Sequence, residues 1–92
     1  MQEKIIPAGT TIDRYGGEEH GRFFAPLGTP YEARSLPYDR RTEPYFIYEV
    51  QKPLPVKACK TAAWFDEPGG GIQYETQEPA AQLKAEGMIR AE

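Results

Sequence analysis

The sequence predicts a small α+β domain, with a mixed or antiparallel β-sheet core and one or two short helices. The chain has 92 residues, which is the size of a single domain spanning residues 1–92. Nine proline and nine glycine residues favour many short strands and turns over long helices. Only residues 78–86 combine good helix formers with helix start and stop signals. Little helix is therefore expected.

The first half of the chain predicts short strands separated by polar loops. Three segments are predicted to be extended: residues 5–6, 10–15 and 22–25. Two segments are predicted to be loops: residues 16–21 and 38–44. Residues 31–36 are predicted to form one helical turn, because Glu32 and Ala33 favour helix and Pro37 ends it.

The middle of the chain contains the clearest strand. Residues 45–50 are dense in aromatic and β-branched side chains, and their continuous apolar character predicts a central strand. Pro53 and Pro55 follow, and proline has no amide proton to donate to a sheet. The segment after residue 50 is therefore expected to be an edge or a turn.

The last third of the chain predicts two strands, a helix and a final strand. The strands are residues 61–65, 72–76 and 88–90. The helix covers residues 78–86, because Pro79 fits a first turn and Gly87 is a natural residue after the last turn. Leu83 is expected to pack inward from this helix.

Composition argues against several classes of function. The net charge is −3, which disfavours nucleic acid as the main partner. No apolar run approaches the length of about 18 residues that a membrane span needs, and Met1 opens no signal peptide pattern. Cys59 is the single cysteine, so no disulfide forms within the chain. His20 is the single histidine, so no spacing typical of a metal site is present.

One segment brings bare backbone into one place. Residues 64–74 contain a proline and three consecutive glycines, followed by Gln73 on a predicted strand. Glycine in such a run costs backbone entropy and offers no side chain to pack. Either the run is a flexible hairpin turn, or Gly70 and Gly71 let the backbone approach a ligand closely.

Seven short motifs occur in one order along the chain. They are Gly9-Thr10, Asp13 to Gly16, Gly21 to Pro26, Arg34 to Pro37, Tyr48 to Val50, Pro53 to Val56 and Trp64 to Tyr74. Each is weak alone. In this order they resemble the tuberculosis necrotizing toxin domain family, whose members are NAD glycohydrolases. The resemblance extends over roughly residues 9–90.

The resemblance implies a function as well as a fold. It implies a toxin domain that cleaves the nicotinamide–ribose bond of NAD or NADP, with the dinucleotide as substrate and no separate cofactor. It also implies a cognate immunity protein and a secreted or delivered effector that acts in the cytosol of a target cell. It leaves open that the chain is the C-terminal toxin part of a larger protein.

Two arginines and a glutamine are the residues to which the resemblance assigns the main roles. Arg14 and Arg34 match the functionally important arginines of the family, and a guanidinium fork suits phosphate oxygens. Gln73 matches the essential glutamine of the glycine-rich motif. Its amide can bind a ribose hydroxyl or orient the attacking water without carrying charge. Gln73 and Arg14 are the predicted catalytic residues, and Arg34 is predicted to bind substrate.

Aromatic residues are predicted to stack on the substrate. Tyr15 and Phe23 are the candidates, and Phe24 should face the opposite side from Phe23 because neighbours alternate along a strand. Some family members carry a functional histidine near the position of Tyr45. Either Tyr45 takes that role here or the role is dispensable. His20 is assigned to the polar loop.

Two other functions remain open from the sequence. Glu75 lies two residues after Gln73, so both share one strand face. This spacing is similar to the Gln-x-Glu pair of ADP-ribosyltransferases, in which the glutamate holds the ribose, and Glu75 is therefore a substrate-binding candidate. The other alternative is a module that binds a nucleotide or a protein without catalysis.

Overall fold

The computed structural model describes residues 2–16, 21–34, 44–61 and 70–92. Seven strands form one sheet, in which the strand order is β1-β5-β6-β3-β2-β4-β7. Every neighbouring pair in this order is antiparallel. The strands are β1 Gln2–Ile6, β2 Thr11–Tyr15, β3 Phe23–Pro26, β4 Tyr45–Val50, β5 Leu54–Lys60, β6 Ile72–Glu75 and β7 Ile89–Ala91.

The helical part is smaller than the sequence predicted. The described residues contain one α-helix, α1, over Ala80–Ala85 and one 3-10 helix over Tyr31–Arg34. Pro79 precedes α1 in an extended conformation, and Gly87 follows it with φ at +72°. The helix is shorter at both ends than the predicted 78–86, and Pro79 precedes its first turn instead of lying in it. Gly87 follows the last turn as the sequence indicated, because glycine tolerates positive φ.

The hydrophobic core lies on one face of the sheet. Residues that are directly opposite each other in an antiparallel pair share a face of the sheet. The pairs Ile12–Tyr48 and Phe24–Tyr74 therefore place four side chains of the core on the same side. Leu83 and Ala80 of α1 complete this cluster, so the helix covers that face. The inward orientation expected of Leu83 is confirmed. The opposite face carries the segment that includes the 3-10 helix.

One prediction of the fold is wrong. The segment expected to be an edge or a turn is β5, a seven-residue strand that pairs with β1 on one side and β6 on the other. Pro55 pairs with Ile5 of β1, whereas the pairing with β6 begins only at Lys57. Pro55 therefore lies where the strand has a neighbour on one side only, and this position accommodates a residue without an amide proton.

Other boundaries differ by smaller amounts. β1 begins earlier than expected, at Gln2, and β3 lies one residue later than predicted. β4 pairs on both sides but lies next to the edge strand β7, not at the centre of the sheet. Several predictions fall outside the described residues: the strand 61–65 beyond Thr61, most of loops 16–21 and 38–44, and the end of the turn 31–36.

Candidate active site

A cleft opens where two neighbouring strands separate. The ladder between β2 and β3 consists of the pairs Ile12–Pro26 and Asp13–Ala25. The same register would place Arg14 opposite Phe24 and Tyr15 opposite Phe23, but those residues are not paired. Arg14 and Tyr15 are consecutive on β2 and point to opposite faces of the sheet. Because both line the cleft, it passes between the strands and does not lie on one face.

The cleft brings together five of the residues that the sequence singled out. It is lined by Arg14, Tyr15, Gly21, Phe23, Phe24, Ala25, Arg34, Thr61, Ile72 and Gln73. Its volume within the described residues is about 100 Å³. A dry cavity of about 150 Å³ holds benzene, so this space is on the scale of one small ring. A dinucleotide would extend beyond it.

Arg14 is buried between an aromatic ring and two glycines. Its exposed fraction is 7%, and its guanidinium carbon lies 6.0 Å from the centre of the Phe24 ring. A side chain at Gly21 would place its Cβ 1.9 Å from Arg14 Nη2, and one at Gly16 would place it 3.1 Å away. The two glycines at the ends of loop 16–21 therefore leave the space that the guanidinium fills.

Arg34 is fixed by a carboxylate, a carbonyl and a ring. Its Nη1 lies 2.7 Å from Oδ1 of Asp13, while Nε and Nη2 donate to the carbonyl of Thr29 at 3.1 and 2.8 Å. Among the described residues, Asp13 Oδ1 makes no aligned hydrogen bond, so its contact with Arg34 is an ion pair. The guanidinium also lies 4.9 Å from the centre of the Tyr15 ring.

Tyr15 and Tyr45 pack together because they are directly opposite across β2 and β4. Their ring centres are 4.8 Å apart and the planes are tilted by 42°. The Tyr45 hydroxyl donates to Oδ2 of Asp13 at 2.5 Å. Although Tyr45 is 41% exposed, partial desolvation of its phenol, reinforced by this hydrogen bond and by the Asp13 charge, raises the pKa of Tyr45 to about 12. Tyr45 does not line the cleft itself, but it contacts a ring that does.

Gln73 and Phe23 lie on the cleft side of their strands. Phe23 is 46% exposed, whereas Phe24 is buried in the core, so the expected alternation is confirmed. Gln73 is half-buried on β6, directly opposite Cys59 of β5. Within the described part of the chain, no hydrogen bond holds the Gln73 amide. The amide can therefore turn toward a bound molecule.

Neither described glycine of the glycine-rich run lines the cleft: Gly71 contacts the 3-10 helix, and the Gly70 amide donates to the carbonyl of Thr61. The Gly71 amide donates to the carbonyl of Ala33 at 3.0 Å, and a Cβ at Gly71 would lie 2.8 Å from that oxygen. Thr61 donates its hydroxyl to the same carbonyl. Gly70 adopts φ of +90° with open space around it. Gly71 is thus needed for packing, which the sequence pattern did not distinguish from ligand contact.

Glu75 shares a strand face with Gln73 but not its cleft. Its carboxylate lies 3.4 Å from Nη2 of Arg22. It lines a separate groove of about 460 Å³ with residues of β1, β5 and the chain after β6. This groove is larger than the cleft, but its described lining contains none of the other predicted site residues. Glu75 therefore lines a different groove from Arg14, Arg34 and Gln73, although it lies directly opposite Phe23 in the sheet.

Sequence reasoning missed three contributors to the site. Asp13 is not among the predicted site residues, although it precedes Arg14 in the second of the seven motifs. Asp13 and Tyr15 lie two residues apart on β2 and so share a face, and this spacing could have indicated the role of Asp13. Thr61 and Ile72 line the cleft, and neither carries a motif signal of its own. His20 and residues 64–69 of the glycine-rich segment lie outside the described residues.

The described residues contain neither a group of metal ligands nor a helix that could span a membrane. No three His, Cys, Asp or Glu side chains among them are grouped as metal ligands would be. None of the described helices has both the length and the apolar character needed to cross a membrane.

Comparison with known proteins identifies a family and a curated relative. The family model described as tuberculosis necrotizing toxin matches residues 5–91. A curated relative, the conidial surface nicotinamide adenine dinucleotide glycohydrolase nadA of Aspergillus fumigatus, is 37% identical over 92 residues. The match includes 92% of this chain but only 39% of that protein.

Two solved structures share the fold. The structure of tuberculosis necrotizing toxin complexed with its immunity factor aligns with a TM-score of 0.73 at 23% identity, over 96% of this chain and 54% of that one. The structure of Tse6 in complex with Tsi6 aligns with a TM-score of 0.67 at 16% identity, over 99% of this chain and 70% of that one. This chain thus spans about half of the first toxin structure and less than half of the curated relative.

Proposed function

The chain belongs to the tuberculosis necrotizing toxin family, and from this premise we propose that its cleft hydrolyses NAD. Water adds to the anomeric carbon of the ribose, and nicotinamide leaves with the electron pair of the broken bond. The products are nicotinamide, ADP-ribose and a proton. The name of the Aspergillus fumigatus relative, a nicotinamide adenine dinucleotide glycohydrolase, supports this reaction.

The observation that carries the proposal is the chemistry of the cleft lining. Two buried guanidinium groups, three aromatic rings and a neutral amide converge there. The described lining residues include no carboxylate and no imidazole. Glycosidases normally need a carboxylic acid to protonate the leaving group. A pyridinium already leaves as a neutral molecule, so a cleft of this composition suits the nicotinamide–ribose bond.

Each group in the cleft has a role in this reaction. Arg14 and Arg34 supply positive charge for the pyrophosphate, and the hydrogen bonds of Arg34 to the Thr29 carbonyl take only two of its five N–H donors. Tyr15 and Phe23 offer ring faces for the nicotinamide. Gln73 orients water or a ribose hydroxyl. Catalysis then depends mainly on positioning and electrostatics.

Purified protein incubated with NAD tests the proposal directly. Chromatography should show nicotinamide and free ADP-ribose appearing in equal amounts. The same incubation with NADP shows whether the 2′-phosphate is tolerated. NAD that stays intact under conditions where a known NAD glycohydrolase is active would exclude the reaction. Intact NAD together with tight binding in calorimetry would instead favour a non-catalytic binding module.

Hydrolysis is proposed in preference to transfer of ADP-ribose to a protein. A transferase of the Gln-x-Glu type needs its glutamate beside the ribose, but Glu75 pairs with Arg22 in the separate groove. A labelled NAD analogue added with cell lysate distinguishes the two reactions. Label should appear in free ADP-ribose, and label attached to a protein target would support transfer.

The proposed reaction also bears on where the protein acts and on what inhibits it. The solved relatives were determined as complexes, one with an immunity factor and the other with Tsi6. We therefore extend the proposal to a secreted or delivered effector that depletes NAD in a target cell and is neutralised by a cognate immunity protein. Expression in the cytosol should lower cellular NAD and arrest growth. Normal growth and NAD levels despite verified turnover in vitro would contradict this extension.

A further inference from the structure

A buried carboxylate lies beside the cleft and connects three separate segments. Asp13 is fully buried, with 0% of its surface exposed. It accepts a hydrogen bond from Tyr45 of β4, forms an ion pair with Arg34 of the 3-10 helix, and accepts the amide of Gly28 at 3.2 Å. Carboxylates are rarely fully buried unless they are paired. The groups that surround Asp13 are therefore held in a fixed arrangement.

We propose that Asp13 is the positioning residue of the cleft: it fixes Arg34 and Tyr45 and, through both of them, the ring of Tyr15. This inference rests on the proposed NAD hydrolysis for its effect on turnover. Asp13 does not line the cleft, so it acts through its neighbours and not on the substrate.

Both routes from Asp13 end at the same ring. Arg34 is held between Asp13 Oδ1 and the Thr29 carbonyl, and its guanidinium lies 4.9 Å from the centre of the Tyr15 ring. Tyr45 is held by Asp13 Oδ2, and its ring centre lies 4.8 Å from that of Tyr15. Tyr15 is thus in contact with two groups whose positions depend on one carboxylate. Small displacements at a reacting site can cost about 100-fold in rate.

The charge of Asp13 matters as well as its shape. Arg34 is 7% exposed, so its positive charge needs a nearby counter-charge. Asparagine has almost the same shape as aspartate and can still accept from Tyr45 and Gly28, but it has no charge to hold Arg34. The Asp13→Asn substitution therefore removes the electrostatic connection and preserves most of the packing.

The first experiment measures kcat and KM for NAD in four proteins: wild type, Asp13→Asn, Arg34→Gln and the double variant. Asp13→Asn should lower kcat/KM by about 100-fold in the wild-type background and by less than about threefold in the Arg34→Gln background, because coupled groups are not additive. Glu49→Gln, which removes from β4 a carboxylate that pairs with the exposed Arg90 of β7, should leave kcat/KM unchanged. Fold losses that multiply independently in the double variant would overturn the proposal.

A second variant addresses the case in which Asp13→Asn does not fold. Tyr45→Phe removes one hydrogen-bond donor to Asp13 and leaves the ring in place. It should lower kcat/KM at least about fivefold, since loss of a fixed position can cost up to about 100-fold. Its circular dichroism spectrum should match that of the wild type. Full activity in Tyr45→Phe would overturn the route through Tyr45.

A third measurement needs no NAD and separates this inference from the proposed function. Ultraviolet absorbance of tyrosinate follows the six tyrosines during alkaline titration. Among the described residues, the charged and titratable groups that face Tyr45 are Asp13, Arg34 and Tyr15. The step that Tyr45→Phe removes from the wild-type titration belongs to Tyr45, and Asp13→Asn should shift that step to lower pH. An unchanged titration in folded Asp13→Asn would overturn the proposal, whether or not the wild type hydrolyses NAD.

Discussion

Arg14 and Arg34 are both buried, but they are held by different kinds of neighbours. Arg34 has a carboxylate and a carbonyl around its guanidinium, whereas Arg14 lies against Phe24 and in the space left by two glycines. The sequence predicted both arginines as site residues from their motifs, and both line the cleft. It did not predict the ion pair, because Asp13 and Arg34 are 21 positions apart in sequence and a strand pattern does not show which segment covers it.

Arg14→Lys should reduce kcat/KM for NAD by roughly 10–100-fold, a cost of about 1.4–2.7 kcal/mol. The flat guanidinium fits between the Phe24 ring and Gly21, whereas lysine keeps the charge but not the planar fork. Steady-state kinetics on folded protein checks this, with Arg90→Lys as the matched control because Arg90 is exposed and pairs with Glu49. Activity of Arg14→Lys within threefold of the wild type would show that fork geometry is unimportant.

Tyr45 should make the fold sensitive to strongly alkaline pH. Burial and Asp13 raise its pKa from 10.0 to about 12 in the folded state. The folded state therefore favours the neutral phenol, and this contribution to stability is complete below about pH 10 and disappears as pH rises toward about 12. Denaturant midpoints measured over this range should fall more steeply for the wild type than for Tyr45→Phe. Parallel curves for the two proteins would contradict the assignment.

At the scale of elements, the separation of β2 and β3 creates the cleft. The sequence predicted β2 closely and placed β3 one residue early. Both strands could be predicted because the pattern of residue types along a strand depends only on the nearby sequence. It did not predict that their ladder stops after Asp13 and Ala25, since pairing between strands depends on what the chain does beyond them. For the same reason β5 was missed: Pro55 is tolerated only because β6 ends before reaching it.

Gly21→Ala should inactivate the cleft while leaving the fold intact. The Gly21 carbonyl accepts the amide of Ala80, and the Arg22 carbonyl accepts that of Thr76, so this segment is held at two points. A Cβ at Gly21 would lie 1.9 Å from Arg14 Nη2, and the flexible arginine side chain is the group that must move. We expect a loss in kcat/KM of about 100-fold, as for other displaced groups.

Gly9→Ala is the control for this substitution. Gly9 has φ of +91° and open space around it, so alanine there adds backbone strain without touching the cleft. It should lower stability by about 1–2 kcal/mol and leave kcat/KM unchanged. If Gly21→Ala retains wild-type kinetics, the guanidinium of Arg14 does not need its present position.

At the scale of the whole molecule, one face of the sheet forms the core and the cleft joins the two faces, because Arg14 lies on the core face and Tyr15 on the other. The face with Ile12, Phe24 and Tyr48 packs against α1 and forms the core. The face with Asp13, Tyr15 and Gln73 meets the 3-10 segment and the cleft. A one-residue shift in β2 would exchange these sets. The sequence predicted the α+β class and the family because motif order and strand periodicity are properties of the chain, while the assembly of the cleft needs the three-dimensional register.

The most direct test of the account is the effect of Gln73→Ala on NAD hydrolysis, followed by release of nicotinamide. Gln73 lies in the cleft, and its amide is not held by any described residue. Removing it should therefore leave the free energy of unfolding within about 0.5 kcal/mol of the wild-type value. The account predicts a loss of about 10²–10³-fold in kcat/KM, the usual effect of deleting one group that stabilises a transition state. Gln51→Ala, at an exposed glutamine beyond β4, should keep full activity. A folded Gln73→Ala protein within tenfold of the wild type would contradict the assignment of catalysis to this cleft.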